Sequence, residues 1–417
     1  RWHGGRGGQL RRAGVGRRVA AADRQVDEED EEGRSWGADR RHVRLQRAAV
    51  VGGSRASDRG AAGVVVSHSM PISRRRMLAG LSCASLGGCV SAVAPGTAAV
   101  TMAPALVRSP APWKDGLGAL EDVDPALRVA FTDAGGHVLL PPPGPRAWRR
   151  LRPEAPQSVE QFGADAPNLR VAPRDRIVLL PLGRFPFEVV ADGLFVGMVR
   201  TPEISAIAAV LAAFFATPVD AMPSEVFPAG RVPRRDRLGR SQYDARALLD
   251  RASVRLPGDA HSMLMLVNVD LFVWSEQNYA YGWSTLRDRL GVVGFSRLDP
   301  GALGEFASDE VPGVILRRGL RVAVHEVGHM FGLGHCQAFR CMMNGIADLE
   351  ELDATPLRLC PLCLRKLHLV TDLDPRARDA ALLRVFADLG LAEETDWLAA
   401  RARLLWRTDA LLAAGPP

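Results

Sequence analysis

Lysine is nearly missing from this chain. Only Lys114 and Lys366 stand against 51 arginines in 417 residues, a usage that reflects the codon bias of a GC-rich genome. Long apolar runs are missing too. None reaches the about 18 residues of a membrane-spanning helix, which excludes a polytopic membrane protein. Uncompensated charge is also scarce where it would matter. The formal charge is +6, but residues 1–69 hold 14 arginines against nine acidic residues, a surplus of five that leaves +1 for residues 70–417. A nucleic-acid-binding function loses its main support, and no nucleic-acid partner is expected. What remains, 47% hydrophobic and 24% charged, is a globular balance for one large domain or two of ordinary size.

The first 69 residues run through Gly, Arg and the acidic block Asp27–Glu32 without helical or strand periodicity, and read as disordered or as lying upstream of the true start. On the second reading Met70 is the initiator. Residues 70–100 fit an export signal: Ser73-Arg74-Arg75-Arg76-Met77-Leu78 resembles a twin-arginine motif and precedes a small-residue, weakly apolar stretch. Leu86-Gly87-Gly88-Cys89 is similar to a lipoprotein box, which makes Cys89 a candidate lipid anchor. The expected location is the periplasm or cell envelope; the alternative is the cytoplasm, with residues 70–100 an Ala/Gly-rich linker.

Residues 101–174 are Pro-rich, with Pro141-Pro142-Pro143-Gly144-Pro145 as a break, and read as a linker followed by a wrapping segment. The main domain is expected over 175–417. Arg176–Leu182 has the length and branching of a buried strand. Thr201 is placed to cap a helix over Pro202–Phe215, and a second helix is expected over Gln242–Ser253. Ser262–Val269 and Val292–Leu298 read as strands, with a substrate strand able to pair near the latter. Arg318–Phe331 reads as a buried helix, while Asp374–Leu389 and Glu393–Leu412 read as amphipathic C-terminal helices. The order suggests an α+β, α/β-like domain with a small mixed sheet and one central helix.

The chemistry is concentrated in His325-Glu326-Val327-Gly328-His329-Met330-Phe331-Gly332-Leu333-Gly334-His335. Histidines four apart on a helix project from one face, so His325 and His329 can share a cation. Glu326 lies beside them, where it can reach water at the metal without being a ligand. Gly332 can take the left-handed conformation that ends the helix and returns His335 to the same metal. Three imidazoles leave one zinc position open, as catalytic sites do, and water there is acidified to a pKa near about 7. A lone His-Glu-x-x-His would be only moderately specific. The third histidine at this spacing makes the set informative.

The cysteines are a second signal. Cys336, Cys341, Cys360 and Cys363 form two close pairs and match a closed, structural zinc site. The competing reading is a pair of disulfides, which the two-residue gap between Cys360 and Cys363 disfavours. Cys83 and Cys89 fall in the signal region.

Residues His325 to Cys363 closely resemble the signature of the archaemetzincins, metzincin-type zinc peptidases whose three-histidine motif runs into a four-cysteine cluster. Asn268-Val269-Asp270-Leu271, Val293-Gly294-Phe295-Ser296-Arg297-Leu298, Leu349-Glu350-Glu351-Leu352-Asp353 and Leu359-Cys360-Pro361-Leu362-Cys363-Leu364 are also similar to family sequence. The resemblance covers about Pro145 to Val370. It implies a metzincin-type catalytic domain with a twisted mixed sheet, a central zinc-binding helix and C-terminal helices. It further implies a catalytic zinc on His325, His329 and His335, a general base at Glu326, and a structural zinc on Cys336, Cys341, Cys360 and Cys363. The turn methionine maps to Met343, an apolar floor under the catalytic metal. Two departures stand out. The 16 residues between Met343 and Cys360 are one fewer than the family pattern, and the position two after Met343, a tyrosine ligand in some metzincins, is Gly345.

The expected function is therefore peptide-bond hydrolysis by a two-zinc, monomeric peptidase acting on peptide or protein substrates. Tyr279, Tyr281 and Arg297 are candidates to assist at the oxyanion, with packing roles as the alternative. Two rival functions use the same residues: a zinc-stabilised binding module without turnover, and a zinc hydrolase of a non-peptide amide.

Overall fold

The structure is a computed structural model, and it describes residues 113–192, 195–303 and 310–406. Residues 1–69, the signal at Ser73–Leu78, Cys83 and Cys89 lie outside the described residues. The α-helices among the described residues of the Pro-rich segment are short: α1 (Val129–Thr132), α2 (Trp148–Leu151) and α3 (Val159–Ala164). Proline removes donors and fixes φ, so this stretch supports single turns but no longer element. Helix α3 starts with a capping box between Ser158 and Gln161.

The apolar run at Arg176–Leu182 is strand β1, buried from Ile177 onward. A hairpin of β2 (Phe187–Asp192) and β3 (Phe195–Arg200) follows, then helix α4 (Ile204–Phe215) and strand β4 (Val219–Ala221). The expected start of α4 is corrected: the Thr201 hydroxyl donates to the Pro202 carbonyl at 3.1 Å instead of capping, and Glu203 takes the N-cap position. Next come β5 (Arg234–Arg237), β6 (Arg240–Asp244) and α5 (Ala245–Ser253). Gln242–Asp244, expected to be helical, are strand, because Gln242 is drawn into register with Asp270 and donates to its carboxylate at 3.0 Å. Asp244 then accepts from Arg246 N at 2.9 Å and starts the helix.

Strands β7 (Ala260–Val267), β8 (Asp270–Phe272), β9 (Gly282–Ser284) and β10 (Leu290–Gly294) complete the set. The main sheet has the order β4-β1-β7-β10-β9, with all pairs parallel except β9 on β10. Its inner strands β1, β7 and β10 read as apolar runs because both faces are covered. Ile177 and Leu179 enter one core with α4, whereas Val178, Leu180 and Leu182 enter another with α5. The substrate edge expected near Val292–Leu298 is also corrected. Strand β10 lies inside the sheet and gives way after Gly294 to a 3-10 turn at Phe295–Arg297, and the edge on that side of the sheet is β9.

Helix α6 (Val311–Met330) packs on the first face and carries both helical histidines. It begins before the expected Arg318, with Pro312 in its first turn. Helices α7 (Leu349–Ala354), α8 (Pro361–Thr371), α9 (Pro375–Asp388) and α10 (Ala392–Trp406) follow. Asp374 caps α9 through Arg376 N at 2.7 Å. The expected end of the last helix lies outside the described residues. Among the described residues no helix is long and apolar enough to cross a membrane. The architecture is α+β, with small mixed sheets and one central helix.

Candidate active site and metal centres

Helical spacing brings His325 and His329 together, their Nε2 atoms 3.0 Å apart. The helix ends after Met330, and Gly332, with φ +90°, turns the chain back. This return places the His335 ring 4.8 Å from His329 and 5.3 Å from His325. One nitrogen from each of the three lies within 4.8 Å of the others. Their Nδ1 atoms are already engaged. His325 donates to the Met342 carbonyl at 3.0 Å, and His329 to the Leu333 carbonyl at 2.7 Å. His335 Nδ1 lies 2.8 Å from both oxygens of Glu154. Because carbonyls and carboxylates only accept, the proton sits on Nδ1 in each ring, and the Nε2 lone pairs of His325 and His329 face one another. Burial lowers the pKa of His325 to about 3 and that of His329 well below its ordinary value. Three converging imidazoles, each held at Nδ1 by an acceptor, fit a zinc ion.

Glu326 is buried one residue along, against the edge of the sheet. Ser284 of β9 donates to its Oε2 at 2.6 Å. Gly282, two residues before, is where the carboxylate rests: a Cβ there would stand 2.5 Å from Oε1 and 2.8 Å from Cδ. Burial raises the carboxyl to about 8 against the opposing Ser284 hydrogen bond. A cation among the three histidines would act in the other direction and favour the carboxylate.

Met343 is buried beneath the turn of α6 that joins the two histidines, where a Cβ on Gly328 would collide with its thioether. At Gly345 the space beside the chain is filled by the Trp148 indole. Trp148 and Glu154 were not among the sequence candidates. They come from the wrapping segment, and nothing local in the sequence links them to a histidine 181 positions further on.

Cys336, Cys341, Cys360 and Cys363 are all buried and free, with their sulfurs within 4.8 Å of one another. Cys360 and Cys363 frame the first turn of α8, and Cys360 N donates to the Cys341 sulfur at 3.3 Å. Asn344 shapes the other half of the cluster. It accepts from Cys341 N at 2.8 Å and donates to the Cys336 and Phe339 carbonyls at 2.8 and 2.9 Å. Hydrogen bonds from the other three thiols hold Cys336 well below the ordinary thiol range, while burial holds Cys360 well above it. Four buried thiols gathered this closely could all ionise only around a cation, and the donor set suits zinc.

A cleft of about 720 Å³ opens over the histidines and Glu326. Trp283 and Ser284 of the edge strand form one wall, and Trp148, Leu151 and Glu154 form another. Tyr279 and Tyr281 also line it, their hydroxyls 3.4 Å apart. Arg297 is committed elsewhere: its Nε is 2.8 Å from each Asp270 oxygen, and its guanidinium packs over the Tyr279 ring.

This constellation has counterparts among known proteins. The family model described as Peptidase family M54 matches residues 237–369. The archaemetzincin of Natronomonas pharaonis is 31% identical over 129 residues, which cover 31% of this chain and 73% of that protein. The chain belongs to the archaemetzincin family. Archaemetzincin-2 of Pongo abelii is 28% identical over 269 residues, covering 58% of this chain and 73% of that protein. The crystal structure of the Methanopyrus kandleri archaemetzincin aligns with 26% identity and a TM-score of 0.34, over 48% of this chain and 94% of that one. As an archaemetzincin, the chain is a zinc metallopeptidase with a cysteine cluster able to bind zinc. The family match begins at residue 237, so the wrapping segment with Trp148 and Glu154 lies outside it.

Proposed function

We propose that this archaemetzincin hydrolyses peptide bonds at the three-histidine site, with Glu326 as general base and a second, structural zinc on Cys336, Cys341, Cys360 and Cys363. The observation that carries the reading is the conjunction of three converging imidazoles with a buried carboxylate on the adjacent helical position. His325, His329 and His335 would hold a zinc ion, which when bound would supply the Lewis acidity to polarise a scissile carbonyl and acidify water. Glu326 takes the proton of that water and returns it to the leaving amine. Ser284 orients the carboxylate by fixing one oxygen. A substrate in extended conformation is aligned along the edge of β9, whose Gly282, Trp283 and Ser284 line the cleft and whose backbone pairs on one side with β10.

The proposal extends to a monomer with two zinc ions, exported by the twin-arginine route. Four reduced, buried thiols suit a protein loaded with metal before it meets an oxidising compartment. Incubating the purified chain with a diverse peptide library tests the activity, with Glu326→Gln as blank. Cleavage by the wild type alone is the expected result, and equal cleavage patterns would reject Glu326 as the base.

A further inference from the structure

The three histidines are not supported alike. His325 and His329 belong to α6 and give their Nδ1 protons to backbone carbonyls. His335 stands beyond the helix, its side chain 15% exposed, and its Nδ1 faces a carboxylate instead. That carboxylate is itself held. Trp148 Nε1 donates to Glu154 at 3.1 Å, and the Trp148 ring meets the His335 ring edge-on at 5.4 Å. Trp148 is anchored in turn by the gap at Gly345 and by Glu351, whose carboxylate accepts its backbone N–H at 3.1 Å. Three residues after Glu154, Gln157 accepts from Gly334 N at 3.2 Å and from Lys366 Nζ at 3.0 Å. The wrapping segment therefore grips the loop of the third histidine at adjacent points.

We propose that Glu154 is a positioning residue of the three-histidine metal site, so that a segment preceding the residues 237–369 matched by the family model completes the metal centre. The inference rests on the proposed reading that these histidines bind metal. A carbonyl at Nδ1 orients a ring; a carboxylate also makes the opposite nitrogen a stronger donor. His335 needs this most, because it lies on a loop beyond the helix that fixes the other two ligands.

Cobalt(II) loading of the full chain tests it without reference to activity. Cobalt among four thiolates gives intense charge-transfer bands, whereas cobalt on imidazoles gives weak d–d bands, so one titration reads both sites. Glu154→Gln keeps the shape and removes the charge. The histidine site is expected to lose roughly 10- to 100-fold in metal affinity, with shifted d–d bands and unchanged thiolate bands. Wild-type affinity and wild-type d–d bands in this variant would overturn the proposal. If that variant does not fold, Glu154→Asp withdraws the carboxylate by one methylene, and the same weakening supports the proposal while unaltered binding rejects it. Thiolate bands alone in the wild type would instead reject the three-histidine reading.

Discussion

Glu326 and Gly282 are fitted to one another closely enough that one methyl group should separate catalysis from metal binding. Gly282→Ala places a Cβ about where the Glu326 carboxylate now rests. The carboxylate must swing off Ser284, whereas the histidines stay where α6 and their acceptors hold them. General bases contribute on the order of 10²–10⁴-fold, so Gly282→Ala should lose a substantial part of that range in kcat with zinc content unchanged. Glu326→Gln should lose at least roughly 10²–10⁴-fold, also with its zinc retained. Peptidase kinetics alongside metal analysis check both, and loss of zinc from Glu326→Gln would show the roles to be wrongly assigned. Glu326 was legible in the sequence because it adjoins a histidine pair whose helical spacing is unambiguous. Ser284 was not, because its contact joins residues 42 positions apart. Glu154 was still less accessible, since a glutamate among prolines carries no local sign of the ring it will face.

Among the elements, the loop between α6 and α7 links the histidine and cysteine clusters. Cys336 follows His335 directly and its N–H donates to the Met343 carbonyl at 2.6 Å, while Asn344 ties Cys336 to Cys341. Because apparent structural-zinc binding energies are about 10–16 kcal/mol and count as folding energy, Cys360→Ser should yield a poorly folded chain that also lacks the histidine site. Circular dichroism and thermal unfolding read this, and a normally folded Cys360→Ser would reduce the cysteine cluster to an incidental one. At Gly345 an added Cβ would drive into the Trp148 indole, so Gly345→Ala should destabilise by about 1–3 kcal/mol and loosen the wrapping segment. Denaturant unfolding checks the magnitude. Elements with a strong period or a long apolar run were readable: β1 came out with its boundaries intact, and α6 was recognised with its first turns missed. Elements defined by tertiary partners were not. The three-residue β9 has too few positions to show alternation, and Gln242–Asp244 became strand through pairing with Asp270–Phe272.

At the scale of the whole molecule, the two ligand sets predict two zinc ions per chain. Metal analysis of protein purified without chelator should return that ratio, and a value near one with titratable thiols or disulfides would remove the cysteine site. The same cluster bears on the proposed export route. The four sulfurs lie within 4.8 Å of one another, close enough to pair wrongly if they met an oxidising compartment without metal. A chain exported unfolded would face that hazard, whereas one folded around zinc in a reducing cytoplasm would not. The twin-arginine route carries folded proteins, and Ser73–Leu78 resembles its signal. Replacing Arg74 and Arg75 with lysine should therefore hold the protein in the cytoplasm, in a form longer than the exported one by the signal peptide. The retained form should keep its metal, because folding and loading precede the blocked step. Cell fractionation with metal analysis of each fraction decides the matter. Equal cytoplasmic retention of wild type and variant would leave residues 70–100 a linker, and a metal-free retained form would show that the cysteines are loaded only after export.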